Sequence, residues 1–343
     1  MKFGPVPVAE SVGAIAVHGI QHGGVVLKKG ETIGASAALA LRHAGVEQVT
    51  VVRFEPGDVA ENEAARMLAE AVAGPNVRID RAFTGRANLF AEVAGILRVD
   101  AASVDCINGG DEAITLATLP AYRSVVPGEM IATVKIIPFA VPRLALEAAL
   151  ANCAALPIDV VPFRPMRVNV ISTLLPGLKD SVVAKTLRVL ERRLAPAGAS
   201  IASDIRVAHE SHTLAEALRR QGNADMTIVF GASAITDRRD VVPAGLIGAG
   251  GRIDHFGMPV DPGNLLLLGS LAGKPVLGAP GCARSPKENG FDWILNRLLA
   301  GLPVASSDIL KLGAGGLLME IVSRPQPRSG DVATPDQDDE DRG

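Results

Sequence analysis

The sequence predicts an α/β protein whose second half is a three-layer αβα domain, preceded by smaller mixed α+β domains. Three observations carry that expectation. Hydrophobic residues make up 48% of the 343 residues but aromatics only 3%, so the cores must be aliphatic; such a composition suits parallel sheets buried on both faces. From about residue 164, short apolar runs alternate with amphipathic segments, the pattern of strands and helices in a layered sheet. Several of those runs are followed at once by glycine-containing loops, where open α/β sheets gather their ligands.

The chain is read as four segments: a small β-rich unit over 1–55, a mixed α+β linking domain over 56–160, the αβα domain over 161–322, and a tail over 323–343. In the first, Gly13–His18 and Gly24–Leu27 suit short strands, Ala35–Ala44 a helix closed by Gly45, and Glu47–Phe54 a strand. Glycine is the favoured residue just past a helix end. In the second, Pro56-Gly57 marks a turn and Asp58 is the expected N-cap of a helix reaching Ala73. A further helix is expected over Leu89–Leu97, a strand over Ile131–Ile137 and a helix over Arg143–Cys153.

In the third segment, strands are expected over Val168–Ser172, Ile205–Ala208, Met226–Phe230, Arg252–Phe256, Leu265–Leu268 and Pro275–Leu277. Asp180–Leu194 is an amphipathic helix with Val183, Leu187, Leu190 and Leu194 on one stripe. Thr213–Arg220 is a helix with Thr213 and Glu216 in capping-box spacing. A helix starts near Val241-Val242-Pro243, and another carries Phe291, Ile294, Leu295, Leu298 and Leu299. The tail is rich in Pro, Ser, Gly and Asp and ends in an acidic run, a composition that cannot bury a core and predicts disorder.

Charge and cysteines narrow the function classes. The formal net charge is −3, without the basic excess of a protein that wraps nucleic acid. Cys106, Cys153 and Cys282 are far apart and form no C-x-x-C pair, so reduced thiols in a cytoplasmic protein are expected. The first ten residues lack the apolar core of a signal peptide. No run approaches the ~18 apolar residues of a membrane span.

Three loops in the αβα segment are the candidate sites. Gly278 to Glu288 contains Ser285, Pro286 and Glu288, read as N-cap, N1 and N3 of a helix. A helix N-terminus binds anions, Arg284 and Lys287 add cations, and Gly281 permits close backbone approach. An ordinary capped helix with solvated basic residues would use the same sequence. Gly231 to Asp240 begins with small residues, Gly231, Ala232 and Ser233, whose amides could cradle a phosphate. Asp237 and Asp240 there could accept hydrogen bonds from ligand nitrogens or hold a metal ion, or simply cap the next helix. Leu174 to Lys179 is the third loop.

Other motifs fail. Gly269 to Pro275 superficially resembles a P-loop but is one residue short, and Pro275 stands where Ser or Thr is needed. Ser233 lies in G-A-S-A-I, not in a nucleophile elbow. His209 and His212 read as solvated or capping residues rather than metal ligands, and no zinc signature is present.

At these loops, over about residues 165–300, the sequence resembles the molybdopterin-binding domain of molybdopterin molybdotransferases and related proteins of molybdenum cofactor biosynthesis. The family's Gly-Gly-(Thr/Val)-Ser-x-Gly-Asp-x-Asp loop is matched by Gly231, Ser233, Asp237 and Asp240, with Ala232 at the second glycine. Asp240-Val241-Val242-Pro243 matches the start of the next helix. Pro262-Gly263 stands for the family's Pro-Gly-Lys-Pro, and Pro280-Gly281-Cys282 for Pro-Gly-Asn. Gly24–Gly30, the helix to Gly45 and Val46–Phe54 extend the likeness. One departure is clear: the family's Thr-Gly-Asp-Glu-Leu is here Thr173 followed by Leu174-Leu175-Pro176-Gly177, without the acids.

The resemblance implies binding of molybdopterin or its molybdenum or nucleotide form. Thr173, Gly231, Ala232, Ser233, Pro262, Gly263, Pro280, Gly281, Cys282, Arg284, Ser285 and Lys287 would line the site. Asp237 and Asp240 would be catalytic and would hold Mg²⁺. It also implies a cytoplasmic homodimer that works with a nucleotidyltransferase or a molybdoenzyme. The activity would be that of a molybdotransferase, with a non-catalytic carrier or a nucleotide hydrolase as the alternatives.

Overall fold

The computed structural model of the chain describes residues 1–153, 158–220 and 222–318, so the expected acidic tail lies outside the described residues. The chain divides into two compact units, Met1–Pro162 and a second that begins at Phe163. No helix among the described residues is long and apolar enough to cross a membrane.

The first unit starts with β1 (Lys2–Pro7), β2 (Ile15–Ala16), β3 (Ile20–His22), β4 (Val25–Leu27), α1 (Ala35–His43) and β5 (Gln48–Arg53). β5 pairs between β1 and β2, and β3 pairs with β4. These elements close over one aliphatic cluster that includes Ala16, Ile33, Leu41, Val49 and Val51. Gly45, just past α1, takes a φ of 81°, a left-handed conformation costly for any residue with a Cβ.

There follow β6 (Asp58–Ala60), α2 (Glu61–Val72), β7 (Val77–Ile79), β8 (Arg86–Ala91), β9 (Gly95–Arg98) and α3 (Ala101–Asn108). The unit ends with β10 (Ile114–Thr118), β11 (Ser124–Val125), β12 (Met130–Ile136), β13 (Ala140–Pro142), α4 (Arg143–Asn152) and β14 (Asp159–Pro162). A second cluster forms here, with Ala65, Leu68 and Val72 of α2 packed with Leu89, Val134 and Ile136.

Two expectations fail in this unit. Leu89–Leu97 is not a helix but the end of β8, a turn, and β9. Ala87, Leu89 and Ala91 are buried while their neighbours are not, a period of two, and β8 pairs antiparallel with β12. Cross-strand pairing outweighs the weak helical preference of the run. Asp58 is not a helix cap: β6 pairs with β13, the helix starts at Glu61, and the Asp58 carboxylate accepts the Glu55 N–H at 2.7 Å.

The second unit runs β15 (Arg167–Leu174), α5 (Asp180–Leu194), β16 (Ser200–Ala208), α6 (Ser211–Arg219), β17 (Met226–Phe230) and α7 (Val241–Gly248). It continues with β18 (Arg252–Phe256), β19 (Leu267–Leu271), β20 (Lys274–Ala279), α8 (Gly290–Leu299) and α9 (Ser306–Leu310). The strands form one sheet in the order β16-β15-β17-β20-β19-β18. Neighbours from β16 to β20 are parallel; β19 and β18 run antiparallel at one edge.

Side-chain alternation shows the layers. Val168, Val170, Met226, Ile228 and Phe230 pack with Leu190 and Leu194 of α5 and with Ile294 and Leu295 of α8. Ile171 and Val229 pack with Leu214 and Leu218 of α6 and with Val242 and Leu246 of α7. Successive strand residues point to opposite faces, so α5 and α8 cover one face and α6 and α7 the other. This is the expected α/β three-layer arrangement.

Gly269 to Pro275 belongs to the β19–β20 hairpin, turning at Ala272 and Gly273 with φ of 50° and 76°. A P-loop needs a strand followed by a helix, which this segment does not provide. Thr213 caps no helix: it lies inside α6, where its hydroxyl donates to the carbonyls of Ala208 at 3.1 Å and Glu210 at 3.0 Å.

Candidate functional site

The chain leaves β15 to build β16 on one side, then returns to build β17 on the other. Two adjacent parallel strands therefore send their following loops in opposite directions, and a crevice opens at their carboxyl ends. Thr173, at the end of β15, is buried at 1% exposure. Its hydroxyl accepts the Ala232 N–H at 2.8 Å and lies 2.8 Å from Nδ1 of His209, just after β16. Arg284, from the loop after β20, donates to the Gly231 carbonyl at 2.9 Å and lies over the Phe230 ring, 5.5 Å from its centroid. Four of the expected residues, Thr173, Gly231, Ala232 and Arg284, thus meet across three strand ends.

The turn after β17 is tight because position 231 is glycine. A Cβ there would stand 2.8 Å from the Ser233 carbonyl oxygen and 3.2 Å from Val242 Cγ2. Ser233 and Ala234 are exposed, and their backbone N–H groups have no partner among the described residues. Free, closely spaced amides of this kind are where an anion binds.

Asp240 and Asp237 are both engaged in folding their own loop. Asp240 accepts the Thr236 N–H at 2.6 Å, the Thr236 hydroxyl at 3.0 Å and the Asp237 N–H at 3.1 Å. The Thr236 amide, followed by the Asp237 amide, holds the Asp240 carboxyl below its ordinary range. Asp237 accepts from the Arg239 side chain at 2.7 Å and its backbone N–H at 2.8 Å; the guanidinium bond is the chief cause lowering its carboxyl. Among the described residues no group of three or more His, Cys, Asp or Glu is arranged to hold a metal ion. The expected Mg²⁺ pair, Asp237 and Asp240, is two carboxylates, each hydrogen-bonded within its own loop.

The loop after β20 differs from expectation. Ser285-Pro286 does not start a helix. Gly281–Arg284 forms a 3₁₀ turn, and α8 begins at Gly290. The cap is Asn289, whose side chain accepts the Phe291 N–H at 3.2 Å, while Asp292 accepts the Asn289 N–H at 2.8 Å. Asn289 reaches the amides of this short first turn and also bonds the Cys282 carbonyl at 3.3 Å; Ser285 lies too far ahead. Lys287 is exposed, its N–H donating to Ser285 Oγ at 3.3 Å. Cys282 is buried, its thiol donating to Asn289 Oδ1 at 3.5 Å. Pro280 is buried where the strand ends, and its carbonyl accepts the Ala283 N–H at 3.0 Å.

Pro262 and Gly263 occupy a different place in the unit. They follow a cis Asp261–Pro262 bond. The Pro262 carbonyl accepts the Gly290 N–H at 3.0 Å, and a Cβ on Gly263 would stand 2.9 Å from the Gly290 Cα. These residues pack against the start of α8 rather than against the Gly231 turn.

Two residues were missed. Arg193 of α5, with a side chain only 9% exposed, pairs with Asp292 and donates to the carbonyls of Ala283 at 2.8 Å, Ser285 at 2.7 Å and Lys287 at 3.2 Å. It fixes the path of the Arg284 loop. Arg193 sits on a helix where the pattern reads as a solvated face, so nothing in the sequence marked it. His209 bonds to the crevice threonine; its signal was its place directly after a strand.

Residues 5–53 match a family described as a domain of unknown function, DUF8806. No curated protein matches the chain. Among solved structures, the molybdopterin biosynthesis MoeA protein from Pyrococcus horikoshii is 14% identical, with 90% of this chain and 75% of that chain covered and a TM-score of 0.27. The molybdopterin biosynthesis enzyme MoaB from Thermus thermophilus is 17% identical, covering 40% of this chain and 98% of that one, with a TM-score of 0.29. The protein CinA, of unknown function, from Thermoplasma acidophilum is 17% identical, covering 35% and 90%, with a TM-score of 0.28.

Proposed function

We propose that the second unit binds a phosphorylated pterin, molybdopterin or its nucleotide form, in the biosynthesis or maturation of the molybdenum cofactor. One observation carries this reading: Thr173, the Gly231–Ala232 turn and Arg284 converge at the crevice between β15 and β17. The motif resemblance of these same loops supplies the ligand class. The amides of Ser233 and Ala234 would take phosphate oxygens, and Arg284 and Lys287 would neutralise them. Asp237 would accept from the pterin N–H edge. Its bond to Arg239, a side chain 91% exposed, is a surface ion pair of low net worth and exchanges readily for a ligand. Asp237 and Asp240 are the two carboxylates that would hold a Mg²⁺ ion, and no step is assigned to it.

Between a molybdotransferase and a carrier, the loops favour the carrier. Asp240 is spent on its own turn, and no acid follows Thr173. The test is oxidation of the purified protein followed by fluorescence detection of released pterin. Arg284→Ala is expected to lose most of it. Equal recovery from wild type, Arg284→Ala and Asp240→Ala would sink the pocket. Phosphate release from nucleotides, without pterin, would point to a hydrolase.

A further inference from the structure

We infer that His209 is a positioning residue for the anion-binding turn: it holds the Thr173 hydroxyl as an acceptor for the Ala232 amide, and so aims the next two amides at the ligand. The inference rests on the reading proposed above and extends it to a residue just past the end of a third strand, one that touches no ligand.

A threonine hydroxyl has one proton and two lone pairs. One lone pair of Thr173 takes the Ala232 N–H at 2.8 Å. The hydroxyl is otherwise bonded, among the described residues, only to His209 Nδ1 at 2.8 Å. Thr173 is buried, so water is not at hand to replace a lost partner. The arrangement is self-consistent when Nδ1 carries no proton: it accepts the Thr173 proton, which turns the remaining lone pairs toward Ala232. Without an acceptor at that place the hydroxyl proton is orphaned, and a buried orphan is costly. The hydroxyl then rotates to find another acceptor, and its lone pair leaves the Ala232 N–H.

That amide matters because of where it lies. Gly231 takes a turn too tight for a side chain, so the direction of the Ala232 peptide is passed on to Ser233 and Ala234. Those are the free amides of the crevice. A chain of two hydrogen bonds therefore ties the end of β16 through the end of β15 to the turn after β17. It runs across the two strands that flank the crevice.

The isosteric probe is His209→Asn, whose Oδ1 stands as many bonds from the backbone as Nδ1 and also accepts a hydroxyl proton. His209→Leu keeps bulk and removes the acceptor. Thr173→Val and Thr173→Ser are the matching pair on the other side. Hydrogen–deuterium exchange of the segment 231–235 reads the turn, and pterin released from the purified full chain reads the site. His209→Leu and Thr173→Val should each speed exchange about tenfold, with the double variant no faster than either. His209→Asn and Thr173→Ser should stay within about twofold of wild type, and pterin retention should follow the same ranking. Melting temperature is followed throughout, so that general unfolding is told apart from a loosened turn.

Leu exchanging as slowly as wild type, or Asn as fast as Leu, overturns the positioning role even if pterin binds normally. Exchange that follows the ranking in a wild type that carries no pterin overturns the ligand reading, and with it the role claimed for His209. Additive effects of the two single variants would show two independent contacts rather than one chain.

Discussion

Arg193 offers the sharpest test of how the site is held. Its guanidinium is nearly buried and spans four groups: the Asp292 carboxylate and the carbonyls of Ala283, Ser285 and Lys287. A hydrogen bond from a charged donor contributes about 1.5–3 kcal/mol. Ala283 is buried at 2%, so its carbonyl would be left without water, whereas Ser285 and Lys287 lie nearer the surface and rehydrate. Asp292 keeps the Asn289 N–H and is not fully orphaned. Arg193→Met retains the stem packed near Phe291 and removes the fork, for an expected loss of about 3 kcal/mol. A domain of this size loses roughly 2–4 °C per kcal/mol. The transition of the second unit should therefore fall by about 6–12 °C in calorimetry. Arg193→Lys should recover less than half, since an ammonium cannot reach three carbonyls and a carboxylate at once. A loss under about 1 kcal/mol for Arg193→Met would refute the clamp, because exposed ion pairs alone give that much.

Two further outcomes test the turn after β17. Gly231→Ala should destabilise by about 1–3 kcal/mol, since its Cβ meets backbone at 2.8 Å, and should release bound pterin; urea melts with pterin fluorescence check both. Asp240 carries a carboxyl lowered by the Thr236 and Asp237 amides. Its contribution is present above the ordinary carboxylate range and is lost as pH falls through the lower folded value. The melting-temperature gap between wild type and Asp240→Asn should therefore be open at neutral pH and close below about pH 4; a gap independent of pH would exclude a charge-based role.

The sequence showed the layered sheet clearly because its signal is local. Met226–Phe230 is buried at every position, and α5 carries a stripe that survives any detail of packing. What it hid was non-local. Arg86–Ala91 becomes a strand by pairing on both sides, with β12 more than forty residues further on and with β7 just before it, and no periodicity inside Leu89–Leu97 reports those partners. The Ser285-Pro286 signature was chemically sound as a helix start. It lost to Asn289, whose side chain accepts the Phe291 N–H and bonds the Cys282 carbonyl as well. Where two caps compete, the winner is the one with a second partner, and that partner is visible only in the fold.

The same logic reorders the chemistry of the site. Read along the chain, Asp237 and Asp240 are the conspicuous groups, and Thr173 looks like a ligand contact. In three dimensions Asp240 and Thr173 are spent on backbone amides, and each holds part of the turn that begins at Gly231. What remains open to an anion is backbone: the N–H groups of Ser233 and Ala234, which no side-chain pattern can announce. A carboxylate placed beside these amides would repel the phosphate they are poised to receive, whereas one turned inward to fix their direction leaves their partial positive charge uncancelled. Asp240 therefore helps binding by pointing away from the ligand. Replacing Asp240 by Asn should weaken pterin retention although it removes a negative charge from the site. Simple electrostatics predicts the reverse, so the sign of that change decides between a scaffold and a charge that merely repels the phosphate.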